Sequence, residues 1–256
     1  MIDSRAVVAP GAQLGEGVEI GPFTVIGPHV TLGARTRVGP SAVIAGHTTL
    51  GEDNVVFQFA SIGDAPQDLK YKGEPTELRV GDRNVFREFC TVNRGTAHDE
   101  GITRIGSDNL FMSYTHVAHD CQLGSRIVMA NNATLGGHVH LGDWVIMGGF
   151  SGVHQFCKVG AHAFIANNCA VTRDVPPYVL AAGQPAEPHS INSKGLERRG
   201  FDAAQIRNIK EAYRTLYRSE LPLAEAQAQL AARVAAQPEL AIFVEFIGHS
   251  TRSLVR

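Results

Sequence analysis

From Ile2 onward an aliphatic side chain returns at every sixth position without a miss: Val8, Leu14, Ile20, Ile26, Leu32, Val38, Ile44, Leu50, Val56 and Ile62. Glycine often follows directly, as in Leu14-Gly15, Ile26-Gly27 and Leu50-Gly51. The fourth position after the aliphatic is small or β-branched in most repeats, as at Ala12, Val18, Thr24, Thr36, Ala42 and Ala60. A helix has a period of 3.6 and an ordinary strand a period of 2, so neither produces a strict six. The hexapeptide repeat of a parallel β-helix does.

The beat breaks at 64–79, where Asp64-Ala65-Pro66-Gln67-Asp68-Leu69-Lys70-Tyr71 replaces it, and restarts at Val80, Phe86 and Val92. It breaks again near His98–Thr103, then holds at twelve consecutive positions from Ile105 to Val171. Three short strands per turn make a triangular prism, so 18 residues advance the chain by one coil and about 4.8 Å. The two breaks are predicted to be loops extruded from the prism, and loops on a rigid scaffold commonly carry function.

The predicted organisation is therefore an all-β parallel β-helix over 1–189, with extruded loops near 64–79 and 98–103, and a C-terminal α-helical domain over 190–256. Two prolines in Asp174-Val175-Pro176-Pro177-Tyr178 are expected to stop strand stacking. Beyond them Ile206, Ile209, Ala212, Tyr213, Leu216 and Tyr217 fall at helical spacing over 202–218, with Asp202 as N-cap. Further helices are predicted over 223–236 and 238–248, the latter with Pro238 at its start.

With 27 Gly and 7% aromatics, composition suits tight corners around a narrow aliphatic interior. The net charge of −2 gives no reason to expect a nucleic-acid partner. No apolar run approaches membrane-spanning length and no secretory signal is visible, so a cytoplasmic protein without an integral membrane segment is expected. Cys90, Cys121, Cys157 and Cys169 all fall four after a beat residue. That inward slot makes them free core thiols rather than disulfide or zinc ligands.

Six of the eleven histidines lie between His116 and His162. His119 takes the third slot of its hexad and Asp120 the fourth; one coil on come Gly137 and His138, and one further Gln155, beside His154. The repeat thus stacks His119, Gly137 and Gln155 in one column. A lone turn-facing histidine is usually just solvated, but here three converge around an unobstructed glycine amide. A histidine titrating near neutrality can take a proton from a hydroxyl attacking a thioester. Asp120 could orient its ring, and the Gly137 amide could donate to the tetrahedral oxyanion. No Ser or Cys nucleophile is evident, which favours direct transfer. Lys194, Arg198 and Arg199 gather at the junction with the helical tail, either as a solvated helix start or as an anion grip.

Several islands within the beat resemble one family: Gln58-Phe59-Ala60-Ser61-Ile62-Gly63, Gln67-Asp68-Leu69-Lys70-Tyr71-Lys72-Gly73-Glu74-Pro75-Thr76, Arg94-Gly95-Thr96, His116-Val117-Ala118-His119-Asp120-Cys121, Ala130-Asn131-Asn132-Ala133-Thr134-Leu135, His154-Gln155-Phe156-Cys157, and Arg198-Arg199-Gly200-Phe201. In this order, before a helical tail, they are similar to the UDP-N-acetylglucosamine acyltransferases that begin lipid A synthesis. The resemblance implies a left-handed β-helix, a homotrimer, and active sites in clefts between subunits. It implies transfer of an (R)-3-hydroxyacyl group from acyl carrier protein, where phosphopantetheine carries it, to the glucosamine 3-hydroxyl of UDP-N-acetylglucosamine, with no metal or further cofactor. His119 would be the general base, Asp120 its partner and Gly137 the oxyanion amide. Gln67, Asp68 and Lys70 on the first loop would contact substrate. His116, His138, His154 and Gln155 would line the site, while Asn192, Arg198 and Arg199 would hold the nucleotide.

The chain departs from that pattern at three positions. Asn93 stands where members carry His, and Lys194 where they are commonly acidic. Asn167 stands where Gly accompanies longer acyl chains, and is expected to act as a ruler shortening the acyl pocket. Three alternatives accompany this reading. A related N-acyltransferase of the same pathway would need a separate N-terminal nucleotide-binding domain, where here the beat starts at Ile2. A γ-class carbonic-anhydrase-like zinc β-helix would recruit His116, His119 and His138 to the metal. A non-catalytic structural β-helix would explain the beat but leave the histidines and loop motifs unused.

Overall fold

The computed structural model describes the whole chain, Met1–Arg256. Its body is a left-handed parallel β-helix whose three faces are sheets of nine, eight and ten strands, all parallel but the last strand of the third. Such crossovers are the exception to the right-handed rule for parallel strands. Most strands are two residues long, and each pairs with the strand three later in sequence, as Val7↔Val25 and Val8↔Ile26. The step is 18 residues except where loops intervene and in the last coil, where it is 16 (Val159 to Val175, Phe164 to Leu180). Leu50 pairs with Val80 and Val80 with Ile105, so the two loops lengthen their coils.

The beat residues point inward, and Ile26, Leu32, Ile44, Phe86, Phe111, Met129 and Leu135 are wholly buried. The four cysteines are buried and free, as their register predicts. Three inward slots hold asparagines instead of apolar residues, and these satisfy one another. Asn84 Nδ2 donates to Asn54 Oδ1 at 3.1 Å, and Asn109 Nδ2 to Asn84 Oδ1 at 2.8 Å. Main-chain N–H and C=O groups complete this buried ladder.

The chain turns at three corners, one after each sheet. The third residue after nearly every beat aliphatic is left-handed there, including Asp53 (φ 57°), Tyr114 (65°), Asp120 (59°), His138 (62°) and Trp144 (63°). That conformation costs an ordinary residue about 1–2 kcal/mol. The ladder hydrogen bonds above and below each corner hold it in place, and each corner stacks its own residue types. Corner one, after the first sheet, carries Asp120, His138 and Phe156 in successive coils. Corner two carries an ionic ladder in which Arg35 pairs with Asp53 (2.7 Å) and Arg83 with Asp108 (2.7 Å). Corner three exposes a stack of rings, with Phe59–Phe89 centroids 5.2 Å apart and Phe89–Tyr114 4.8 Å apart.

The extruded segments occupy 65–76 and 94–101, so the second begins four residues earlier than the lost beat suggests. Stacking also outlasts the prolines. Val175 bridges Val159, and Val179–Ala182 pairs parallel with Phe164–Ile165 before an antiparallel strand, Glu187–Ile191, covers the edge. Pro176 and Pro177 are tolerated because they sit at a corner between those pairings, where no ladder N–H is needed. The division placed after residue 189 falls inside that last strand.

The helical tail comprises α1 (Ser193–Arg198), α2 (Ala203–Tyr217), α3 (Leu223–Arg233), a 3₁₀ turn (Pro238–Leu240) and α4 (Ala241–Gly248). Asp202 caps α2 in a full capping box with Gln205. The six-residue α1 has too little periodicity to be seen in the sequence. No helix is long and apolar enough to cross a membrane.

Candidate active site

Corner one brings His119, Asp120, Gly137 and His138 together. His119 lies at the second position after its beat residue, Val117, and Gly137 holds the same position one coil on, after Leu135. A β-carbon placed on Gly137 would come within 2.5 Å of His119 Cε1 and 2.8 Å of its Nε2, so the imidazole lies directly against the glycine. The Gly137 N–H donates to no group in the chain, while its carbonyl accepts from Phe156 N–H at 3.0 Å.

His119 Nδ1 is 2.8 Å from Asp120 Oδ2, and its Nε2 makes no hydrogen bond. The Asp120 side chain is 1% exposed. Burial alone would raise its carboxyl, but hydrogen bonds from His119 and Thr96 outweigh this and hold it below the usual carboxylate value. The Thr96 main-chain N–H donates to Asp120 Oδ1 at 2.8 Å, and the Thr96 hydroxyl to Oδ2 at 2.7 Å. Thr103 Oγ1 accepts the Asp120 N–H at 2.8 Å. An ionised carboxylate on Nδ1 fixes the tautomer with its lone pair on Nε2, the arrangement a general base needs.

His138 stands edge-on to His119 with ring centroids 5.0 Å apart. Its Nδ1 is 2.6 Å from Asp99 Oδ2, and its Nε2 is 3.8 Å from Asp120 Oδ2. On its far side the Phe156 ring stacks at 4.3 Å. His116 lies on the adjoining sheet face with Nδ1 2.7 Å from Thr91 Oγ1. Burial, then the neighbouring His119, pulls its imidazole below the ordinary value. His154 and Gln155 are exposed one coil beyond, His154 Nδ1 facing the Gln155 carbonyl at 3.2 Å.

The other expected contacts lie elsewhere on the chain. Gln67, Asp68 and Lys70 ride the loop that leaves corner one after Asp64, and the Asp68 carboxylate accepts from the Lys70 N–H within that loop at 3.0 Å. Arg94 anchors the loop by donating to the Tyr71 hydroxyl at 2.8 Å and the Gly63 carbonyl at 2.9 Å. Asn167 belongs to corner three, where its Oδ1 accepts from Gly149 N–H at 3.0 Å. Asn192 caps α1 through Gly195 N–H and donates to the His162 carbonyl, so both ends of its side chain are engaged internally. Arg199 packs on corner two, its guanidinium 5.1 Å from the Trp144 ring and 3.1 Å from His162 Nδ1. Arg198 is exposed beside it, and Lys194 pairs with Glu197 at 2.8 Å. Asn93 is buried; its Nδ2 donates to the Ala65 carbonyl while its Oδ1 has no partner.

Thr96, Thr103, Asp99 and Phe156 were not singled out as site residues from the sequence. Thr96 lay within the Arg94-Gly95-Thr96 island, and Phe156 is one coil beyond His138, so the repeat could have found both. Nothing in the sequence singles out Asp99. The zinc alternative meets a different geometry, for the metal-binding atoms that converge within 4.8 Å belong to His119, Asp120 and His138. His116 is not among them, and the Nδ1 atoms of the other two histidines already face carboxylates.

The family model for UDP-N-acetylglucosamine O-acyltransferase, domain 2, matches residues 174–255. The chain is 60% identical to the acyl-[acyl-carrier-protein]–UDP-N-acetylglucosamine O-acyltransferase of Janthinobacterium sp. (strain Marseille), over 100% of this chain and 99% of that protein. It is 58% identical to the protein of the same name from Herminiimonas arsenicoxydans, with the same coverage. Among solved structures, LpxA from Acinetobacter baumannii superposes with a TM-score of 0.97 at 43% identity, covering 100% of this chain and 99% of that one.

Proposed function

The chain belongs to the UDP-N-acetylglucosamine O-acyltransferase family and is an O-acyltransferase, and from that premise we propose that it moves an (R)-3-hydroxyacyl group from acyl carrier protein to the glucosamine 3-hydroxyl of UDP-N-acetylglucosamine, the opening step of lipid A synthesis. The observation that carries the mechanism is the unspent Nε2 of His119 lying over an unspent Gly137 amide.

His119 Nε2 takes the proton of the sugar hydroxyl as its oxygen attacks the thioester carbonyl. The imidazolium so formed is stabilised by the ionised Asp120 on Nδ1. The carbonyl oxygen acquires the negative charge, and the Gly137 N–H is the donor left free to meet it. Collapse restores the carbonyl and breaks the carbon–sulfur bond. The departing thiolate takes the proton back from His119, leaving ester and free carrier thiol. Thr96 keeps Asp120 ionised throughout, while Asp99 orients His138 at the rim.

The active unit is a homotrimer in this reading. His119 and Gly137 lie on corner one, Asn167 on corner three, and Arg199 against corner two. Edges of one prism face away from one another, so these residues meet one substrate only when further copies bring their edges alongside. The exposed rings of corner three offer apolar surface of the kind that such contacts cover. Asn167, held rigid by Gly149, is read as the acyl-chain stop. Arg198 and Arg199 are read as the nucleotide grip, and a cytoplasmic location fits both substrates.

The deciding experiment is acylation of labelled UDP-N-acetylglucosamine with a series of 3-hydroxyacyl carrier proteins of increasing length. His119→Ala should lose on the order of 10²–10⁴-fold in kcat. Asn167→Gly should shift the preferred donor to a longer chain. Product with wild-type rate from His119→Ala would remove the base assignment, and sedimentation as a monomer would remove the shared site.

A further inference from the structure

Corner one continues beyond the catalytic residues. The coil past Phe156 is two residues shorter, so Asp174 lies just beyond the corner, beside Val175 on the second face, and is completely buried. No Lys, Arg or His pairs with this carboxylate; hydrogen-bond donors alone surround it. Its Oδ1 accepts from Lys158 N–H at 2.8 Å, and its Oδ2 from the Ser250 hydroxyl at 2.7 Å and the N–H groups of Thr251 and Arg252 at 3.3 and 3.4 Å. The main chain adds Asp174 N–H to the Ser253 carbonyl and Val255 N–H to the Asp174 carbonyl, both at 2.9 Å. The far C-terminus is thereby stitched to the top of the catalytic corner, with Leu254 and Val255 buried beneath it.

The stitching delivers one side chain to the site. The Arg252 guanidinium lies 5.6 Å from the centroid of Phe156, the ring that stacks on His138. Arg252 is exposed and forms no ion pair with any Asp or Glu, unlike Arg35 and Arg83 on corner two, which are neutralised by carboxylates of the next coil. An unneutralised guanidinium on a rigid tail is suited to bidentate capture of a phosphate. Phe156 is two coils from Asp120, roughly 10 Å along the prism. A phosphate joined to the reacting sugar, or one on the arm that carries the thioester, can reach that level.

We propose that Arg252 is a substrate-binding residue of the acyl transfer, engaging a phosphate group of one of the two substrates, with Asp174 setting its position. This rests on the acyltransferase reading given above. The chemistry suits either the diphosphate of the sugar nucleotide or the phosphodiester of the carrier's prosthetic arm, and steady-state kinetics separates them.

Arg252→Ala and Arg252→Lys are compared with the wild type using acyl carrier protein and acyl-pantetheine, a donor without phosphate. Contact with the diphosphate predicts at least a tenfold higher KM for UDP-N-acetylglucosamine in Arg252→Ala, with either donor and little change in kcat. Contact with the prosthetic arm predicts a tenfold higher KM for the acyl carrier protein, while turnover of acyl-pantetheine is unaffected. In either case Arg252→Lys recovers part of the loss. An Arg252→Ala enzyme whose two KM values stay within twofold of wild type overturns the proposal. An inactive wild type would instead overturn the acyltransferase reading.

Discussion

The His119 imidazole lies so close to Gly137 that a methyl group on the glycine would occupy the ring's own space. The backbone at Gly137 is not left-handed, so the constraint is one of volume rather than of conformation.

Gly137→Ala should therefore fold. The displaced group is the end of a rotatable side chain, and the melting temperature should move by only a few degrees. The activity should not survive as well. Tilting His119 off the glycine separates the base from the oxyanion donor, and a loss on the order of 10²-fold in kcat is expected. Kinetics and a thermal melt on the same preparation check both halves.

Thr96→Val removes the hydroxyl that donates to Asp120 while keeping the side chain's shape. The buried carboxylate loses a donor, at a cost of about 1–3 kcal/mol. Because folding holds this carboxyl below its ordinary value, its contribution to stability is complete above the ordinary carboxylate range and is lost as pH falls through that range and below. The variant should be less stable than the wild type near neutrality but lose less on acidification, so that the two profiles draw together at low pH. Denaturant titrations from neutrality to pH 3 would show it, and superimposable profiles would refute it.

His162 offers a second pH test with a different window. Burial, reinforced by Arg199, lowers its imidazole to about 4 from an ordinary 6.5. Between those values the unfolded chain binds the extra proton, so stability rises with pH across the window and is lost on acidification through it. His162→Phe keeps the stack between Trp144 and Tyr178 and removes the titration. It should flatten the slope between pH 4 and 6.5 by an amount on the order of 1 kcal/mol, the ring being partly exposed.

Asn84→Ala interrupts the asparagine ladder at its middle rung. Asn84 joins Asn54 below to Asn109 above, and its loss strands buried partners on both sides. A destabilisation of about 2–4 kcal/mol is expected. Asn84→Asp, whose carboxylate has no donor for Asn54 Oδ1 or the Gly106 carbonyl, should do no better. A midpoint in urea unchanged by either substitution would show the ladder to be dispensable.

The prism was legible because its inward residues repeat at an interval of six, which neither a helix nor an ordinary strand produces. The same interval placed His119 over Gly137 and put His138 beside them. Capping chemistry located the start of α2 at Asp202. The interval says nothing once the chain leaves it, so the grip of Thr96 on Asp120 and of Asp99 on His138 could not be read. Both partners come from a loop whose path is set by tertiary contacts. Asn192 also caps α1, a role hidden in the sequence because a six-residue helix announces itself too weakly for its cap to be recognised. The prolines near 176 misled because their cost depends on whether they fall on a strand or at a corner.

Because corner one assembles its residues by a count of eighteen, its integrity is inherited as reading distance. Removing a single codon between Asp120 and Gly137 would rotate every later residue out of its column, however mild the local change in packing. A gene for such a chain can lengthen freely at only two kinds of place: by whole coils, or by loops budding from a corner, as 65–76 and 94–101 already do. The loops can therefore diverge in length and partner, while the distance between base and oxyanion donor stays fixed in codons.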